Sequence, residues 1–95
     1  MKNFYVTYTF PSADSRDGFL QEVRLLADIT RKEQGCLRYD YFYPVDSENT
    51  LFLWEQWESG QDQEKHTKQP HFALIGKLKE KYSASSSVSV QECNQ

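Results

Sequence analysis

The stretch CLRYDYFYPVDSENTLFLWEQW, Cys36 to Trp57, decides the fold. It contains two runs of β-forming residues with a period of two. In the first, Leu37, Tyr39, Tyr41 and Tyr43 share one face, and Cys36, Arg38, Asp40 and Phe42 share the other. In the second, Leu51, Leu53, Glu55 and Trp57 oppose Phe52, Trp54 and Gln56. The segment VDSEN between them is rich in residues whose side chains bond their own backbone, so the two runs read as a hairpin. Large apolar groups stand on both faces. A sheet with one solvated face has no need of them, so both faces are expected to be covered, one by the chain's own helices and the other by something else.

Upstream, NFYVTYTF alternates Phe4, Val6, Tyr8 and Phe10 against Tyr5, Thr7 and Thr9, and Pro11 ends the ladder for want of an N–H. SADSRDGFLQEVRLLADITRKEQG reads as a helix with Ser12, Asp14 or Ser15 as N-cap. Its apolar stripe is Phe19, Val23, Leu26 and Thr30, with Leu20 and Ala27 beside it; Arg31 and Lys32 suit the last turn, and Gly35 the left-handed exit. Downstream, SGQDQEKHTKQ starts a helix with Ser59 as N-cap, and Pro70 opens a second turn system, PHFALIGKLKEKY. Phe72, Ile75 and Leu78 or Lys79 keep helical spacing there, although Gly76 costs up to about 1 kcal/mol relative to alanine. In SASSSVSVQEC, the alternation of Val88 and Val90 fits an edge strand, and a flexible low-complexity segment competes with it.

The order β-α-β-β-α-β is that of an α+β, ferredoxin-like fold, an antiparallel sheet with both helices on one face. The 95 residues suit one domain, 1–95. The simplest cover for the outer face is a second copy, so a homodimer is expected. Eleven basic against 14 acidic residues, net −3, with no basic stripe, argue against nucleic acid as partner. No apolar run suits a membrane span and no signal peptide is evident, so no membrane partner and a cytoplasmic location are expected. Cys36 and Cys93 form no CxxC and read as reduced thiols.

Glu33, Gly35, Cys36 and Tyr39, then Glu55, Trp57 and Ser59, then His66, His71 and Phe72 form a pattern. It resembles that of the antibiotic biosynthesis monooxygenase family, small quinol monooxygenase-like proteins. The resemblance implies a dimeric α/β barrel with one pocket per subunit between sheet and helices. It implies oxidation of a small electron-rich aromatic, a quinol or anthrone, by O2 with no metal, flavin or haem cofactor. FPSADSRDG replaces the Pro-Gly that often follows the first strand in the family. Some relatives degrade haem, but they place an iron-ligating histidine further along the second helix, where this chain has Gly76.

Such chemistry needs a flat apolar slot, a base and a stabiliser for an oxyanion. The chain's only histidines, His66 and His71, are the natural bases near neutral pH. Glu55 either orients a histidine or is itself the base if burial raises its pKa. Tyr39, Trp57 and Phe72 supply walls, and Arg38 attracts an anionic substrate. Each also has a structural reading. Trp57 and Tyr39 suit a core, and Cys36 is a small buried residue. His66 fixes a helix start by bonding Glu55 or a backbone carbonyl. His71 caps a helix opening, and Arg38 is solvated or faces the dimer. No metal site is expected, because the histidines stand five apart across a proline with no third histidine. An isomerase of a small metabolite using the same pocket, and a non-catalytic dimeric ligand-binding module, remain the alternatives.

Overall fold

A computed structural model describes residues 1–92 of the chain. Its elements are β1 (Lys2–Thr9), α1 (Ala13–Thr30), β2 (Cys36–Phe42), β3 (Thr50–Trp57), α2 (Gly60–His66), α3 (Pro70–Lys81) and β4 (Ser85–Glu92). The strands form one antiparallel sheet in the order β2-β3-β1-β4. The fold is the α+β, ferredoxin-like arrangement expected from the hairpin and its flanks. What read as one interrupted second helix is two, since Pro70 starts α3 after a short turn. No helix among the described residues is long and apolar enough to cross a membrane.

Periodicity places the core. Val6, Tyr8 and Phe10 of the first strand and its exit, Tyr39 of β2, and Leu51 and Leu53 of β3 share the inner face. They pack against Phe19, Val23 and Ala27 of α1 and Ile75 of α3. Tyr8, Phe10 and Phe19 make a tilted ring cluster with centroids 5.2–6.4 Å apart. The opposite face carries Tyr5 stacked on Phe52 at 6.1 Å, Phe52 against Phe42, and Trp54 donating to Asn3. The rings of Tyr5, Phe52 and Trp54 are half-buried and Phe42 is exposed, without a helix over them.

Two local features depart from the sequence expectation. In the β2–β3 ladder Cys36 pairs with Trp57 and Arg38 with Gln56, so Leu37 is an inserted bulge residue. The bulge turns Cys36 to the inner face, where it packs on the core, and leaves Leu37 exposed, reversing the faces expected for both. Second, α1 stops at Thr30, whose hydroxyl bonds the Leu26 carbonyl, so Arg31 and Lys32 lie just past the helix rather than in its last turn. Ser12, of the three possible caps, accepts from the Ser15 N–H. As expected, β4 is an edge strand, paired with β1, and every residue of it is exposed. Cys93 lies outside the described residues.

Gly35 ends the turn after α1 with φ +82°, and a Cβ there would run into the Asp62 side chain. Both the left-handed backbone and the close approach need glycine. Gly35→Ala is therefore expected to lose about 1–3 kcal/mol of stability. Urea denaturation measures this; an unchanged midpoint would show that the turn relaxes freely.

Candidate active site

Three chain segments meet at one carboxylate. Past α1 the backbone tightens through bonds from Lys32 N–H to the Ile29 carbonyl, Glu33 N–H to Thr30 and Cys36 N–H to Glu33. The turn sets Glu33 beneath the joint between α2 and α3. At that joint α2 ends on His66 and α3 begins with Pro70-His71. Glu33 Oε2 lies 2.6 Å from His66 Nδ1 and 2.9 Å from His71 Nε2. A carboxylate oxygen accepts and does not donate, so each ring presents an N–H to it. In the neutral ring this leaves the lone pair of His66 on Nε2.

His66 is only 1% exposed. Trp57 lies 5.0 Å from its ring centroid, Phe72 5.2 Å and Tyr39 5.8 Å. Burial lowers its pKa from the ordinary histidine value, against the opposing pull of Glu33 and with the help of His71. The ring is therefore kept neutral and basic at Nε2. Glu55 of β3 is shifted the other way. It is buried, accepts a hydrogen bond from Trp57 Nε1 at 3.1 Å, and is pushed up to about 7. Burial is the main cause, the Trp57 bond opposes it, and the charge of Glu33 adds to it.

Glu55 and His66 line one cavity of about 320 Å³ between the sheet and α3. Its inner walls are the buried side chains of Phe4, Val6, Tyr8, Tyr39 and Ile75. Its outer lining is Phe72, Gly76, Lys79, Ser86 and Val88, of which Lys79 is half-buried and the rest exposed. The Tyr8 and Tyr39 hydroxyls are held well above the usual phenol range, first by burial, so they stay protonated donors. A larger hollow of about 450 Å³ lies between α1 and β2, lined by Arg24, Asp28 and Arg31 among others, and holds neither histidine. The smaller cavity is where acid and base converge.

Of the residues singled out in the sequence, His66, Glu55, Tyr39 and Phe72 come together around this cavity. Trp57 is fully buried behind it, touching His66 and bonding Glu55. His71 stands on the far side of Glu33, outside the lining. Arg38 is on the outer sheet face, paired with Asp40 at 2.8 Å and 4.3 Å above the Trp54 ring, so it does not reach the cavity. The expected His66–Glu55 bond is replaced by the one to Glu33. Cys36 has its thiol pushed up to about 11, chiefly by burial, and is no nucleophile. Glu33 belongs to the sequence motif, but its partners lie 33 and 38 positions away, beyond any local periodicity. Glu33, His66 and His71 also bring their donor atoms within 4.8 Å of one another, a carboxylate and two imidazoles of the type that binds transition metals. In this geometry the three already satisfy one another by hydrogen bonds.

The sequence model of the antibiotic biosynthesis monooxygenase family matches residues 4–77. A Bacillus subtilis (strain 168) protein, YcnE, a candidate monooxygenase by name, is 35% identical over 72 residues, 75% of this chain and 76% of that protein. A Deinococcus radiodurans structure, a candidate antibiotic biosynthesis monooxygenase by name, superposes with TM-score 0.90 at 19% identity, covering 100% of this chain and 94% of that one. The Mycobacterium tuberculosis protein Rv0793 superposes with TM-score 0.82 at 22% identity, covering 100% and 97%. At these identities the structural likenesses speak for the fold.

The opposed shifts of Glu55 and His66 set a pH signature. Between the ordinary carboxyl value of 4.5 and about 7, folded Glu55 holds a proton that the unfolded chain has released, so its contribution to stability falls as pH rises through that window. His66, lowered from 6.5, contributes stability that is lost as pH falls below that value. Glu55→Gln removes the first effect and keeps an acceptor for Trp57. Relative to wild type, the variant is expected to gain about 1–3 kcal/mol between pH 5 and pH 8 in urea titrations. Parallel curves for the two proteins would contradict the shift.

Proposed function

The chain belongs to the antibiotic biosynthesis monooxygenase family, and from that premise we propose that it oxidises a small electron-rich aromatic, a quinol or an anthrone, with O2 and without an organic cofactor or metal. The observation that carries this reading is the pairing of a neutral imidazole with a carboxyl raised to about 7 in one apolar cavity. Two groups displaced in opposite directions divide into base and acid.

Ground-state O2 is a triplet and reacts slowly with neutral closed-shell molecules, so the substrate must first become an electron-rich anion. His66 Nε2 takes the acidic proton of the bound ring. The Tyr8 and Tyr39 hydroxyls, and Glu55 in the protonated form that persists up to about pH 7, are available as donors to the oxygen on which charge develops. The apolar walls exclude water and strengthen these contacts. The anion passes one electron to O2, and the resulting radical pair combines into a peroxide at carbon. For an anthrone, the methylene carbon then loses its second hydrogen as the O–O bond breaks. One oxygen atom stays as the new carbonyl and the other leaves as water, all four electrons that reduce O2 having come from the substrate.

We infer also that two chains pair through the outer sheet face. Tyr5, Phe42, Phe52 and Trp54 form a patch there that the chain's own helices leave uncovered, the kind of surface that marks an interface.

Oxygen uptake with a panel of hydroquinones and anthrones tests the activity. His66→Ala, shown folded by circular dichroism, is expected to lose about 10²–10⁴-fold in rate. Full activity in the variant, or no uptake by the wild type with any of these compounds, would reject the reading; turnover under argon would point to isomerisation instead. Sedimentation is expected to give a dimer at micromolar concentration, and Trp54→Glu a monomer. A wild-type monomer would refute the pairing.

A further inference from the structure

We propose that the cavity selects a rod-shaped phenolic substrate bearing a carboxylate at the end away from the reacting hydroxyl, and that Lys79 is the residue that recognises it. The inference rests on the reading of the cavity given above and adds the substrate class.

The cavity is chemically two-ended. Its acid–base pair, His66 and Glu55, is at the buried end. Lys79, part of the outer lining, is the one cation among the residues that line the cavity. Its ammonium donates to Ser86 Oγ at 2.8 Å and stands 5.8 Å from the Tyr8 ring centroid. Both partners are neutral, whereas Lys81, two residues on and on the opposite side of α3, is paired with Glu22 at 2.8 Å. A last-turn lysine also favours the helix dipole, but that role does not require it to line a cavity.

The wall between the two ends is cut low. Gly76 lines the cavity in the interior of α3, and a Cβ built there meets nothing within 4 Å. A helix-interior glycine is unfavourable relative to alanine, and here it leaves open room where a flat ring can lie. Phe72, which packs on His66 at 5.2 Å, and Lys79 are seven residues apart, about 10 Å along the helix axis. A two-ring body spans that distance. With its hydroxyl at His66, a carboxylate on the opposite end meets the ammonium at the rim in a charge-assisted hydrogen bond.

The test uses binding under argon, so that it does not depend on turnover. The probes are 6-hydroxy-2-naphthoate and 2-naphthol, followed by tryptophan fluorescence and calorimetry. Wild type is expected to favour the carboxylate by about tenfold or more, the usual size of a hydrogen bond to a charged group. Lys79→Met, which keeps the aliphatic stem, should bring the two affinities within about twofold, and Lys79→Arg should restore the preference. Equal affinities in wild type, a preference that survives Lys79→Met, or failure of both probes to bind would overturn the proposal. Selective binding in a protein that oxidises no quinol would instead sink the catalytic reading and leave this one standing.

Discussion

Glu33 Oε2 accepts a hydrogen bond from each of two imidazoles, and that shared oxygen is the constraint on which the site depends. The three residues come from the exit of α1, the last residue of α2 and the first turn of α3. Tying them to one atom sets where α3 starts and therefore where its inner face meets the sheet. It also settles the chemistry of His66. With Nδ1 committed as donor, Nε2 is the position left for a proton from another molecule. A half-buried carboxylate with two donors is well satisfied, whereas the same carboxylate with one or none would carry a desolvation cost of about 1–3 kcal/mol.

Around that anchor, burial works in opposite directions on two groups. It disfavours the imidazolium of His66, and it disfavours the carboxylate of Glu55, whose carboxyl is pushed up to about 7. One cavity thus brings together a base and a weakened acid, with the Glu33 carboxylate acting on both. Trp57 links the two, bonding Glu55 through its N–H and lying against His66 with its ring. Its total burial is consistent with a supporting role, holding both groups in place from behind.

Much of the architecture was legible in the chain. Period-two alternation in Cys36–Trp57 located two strands, and the apolar residues on both sides matched an inner face packed on the helices and an outer aromatic face that the chain's own helices leave uncovered. Val88 and Val90 marked an edge strand inside a serine-rich tail. The bulge at Leu37 was not legible, because an inserted residue leaves the composition of a strand unchanged while reversing the faces upstream of it. Arg38 looked available to a substrate because nothing local showed its stacking on Trp54 from the neighbouring strand. His66, Glu55, Tyr39 and Phe72, all candidates on chemical grounds, meet at the cavity. Glu33 and Lys79 acquire their meaning only through tertiary contact, one with histidines more than thirty positions away, the other by facing a cavity instead of solvent.

The tautomer of His66 is the most direct measure of this arrangement. Long-range proton–nitrogen correlation spectra of protein labelled at the histidine nitrogens report which ring nitrogen carries hydrogen. His66 is expected to be neutral near pH 7.5, with hydrogen on Nδ1 and a lone pair on Nε2. An imidazolium, or a ring protonated at Nε2, would contradict that arrangement.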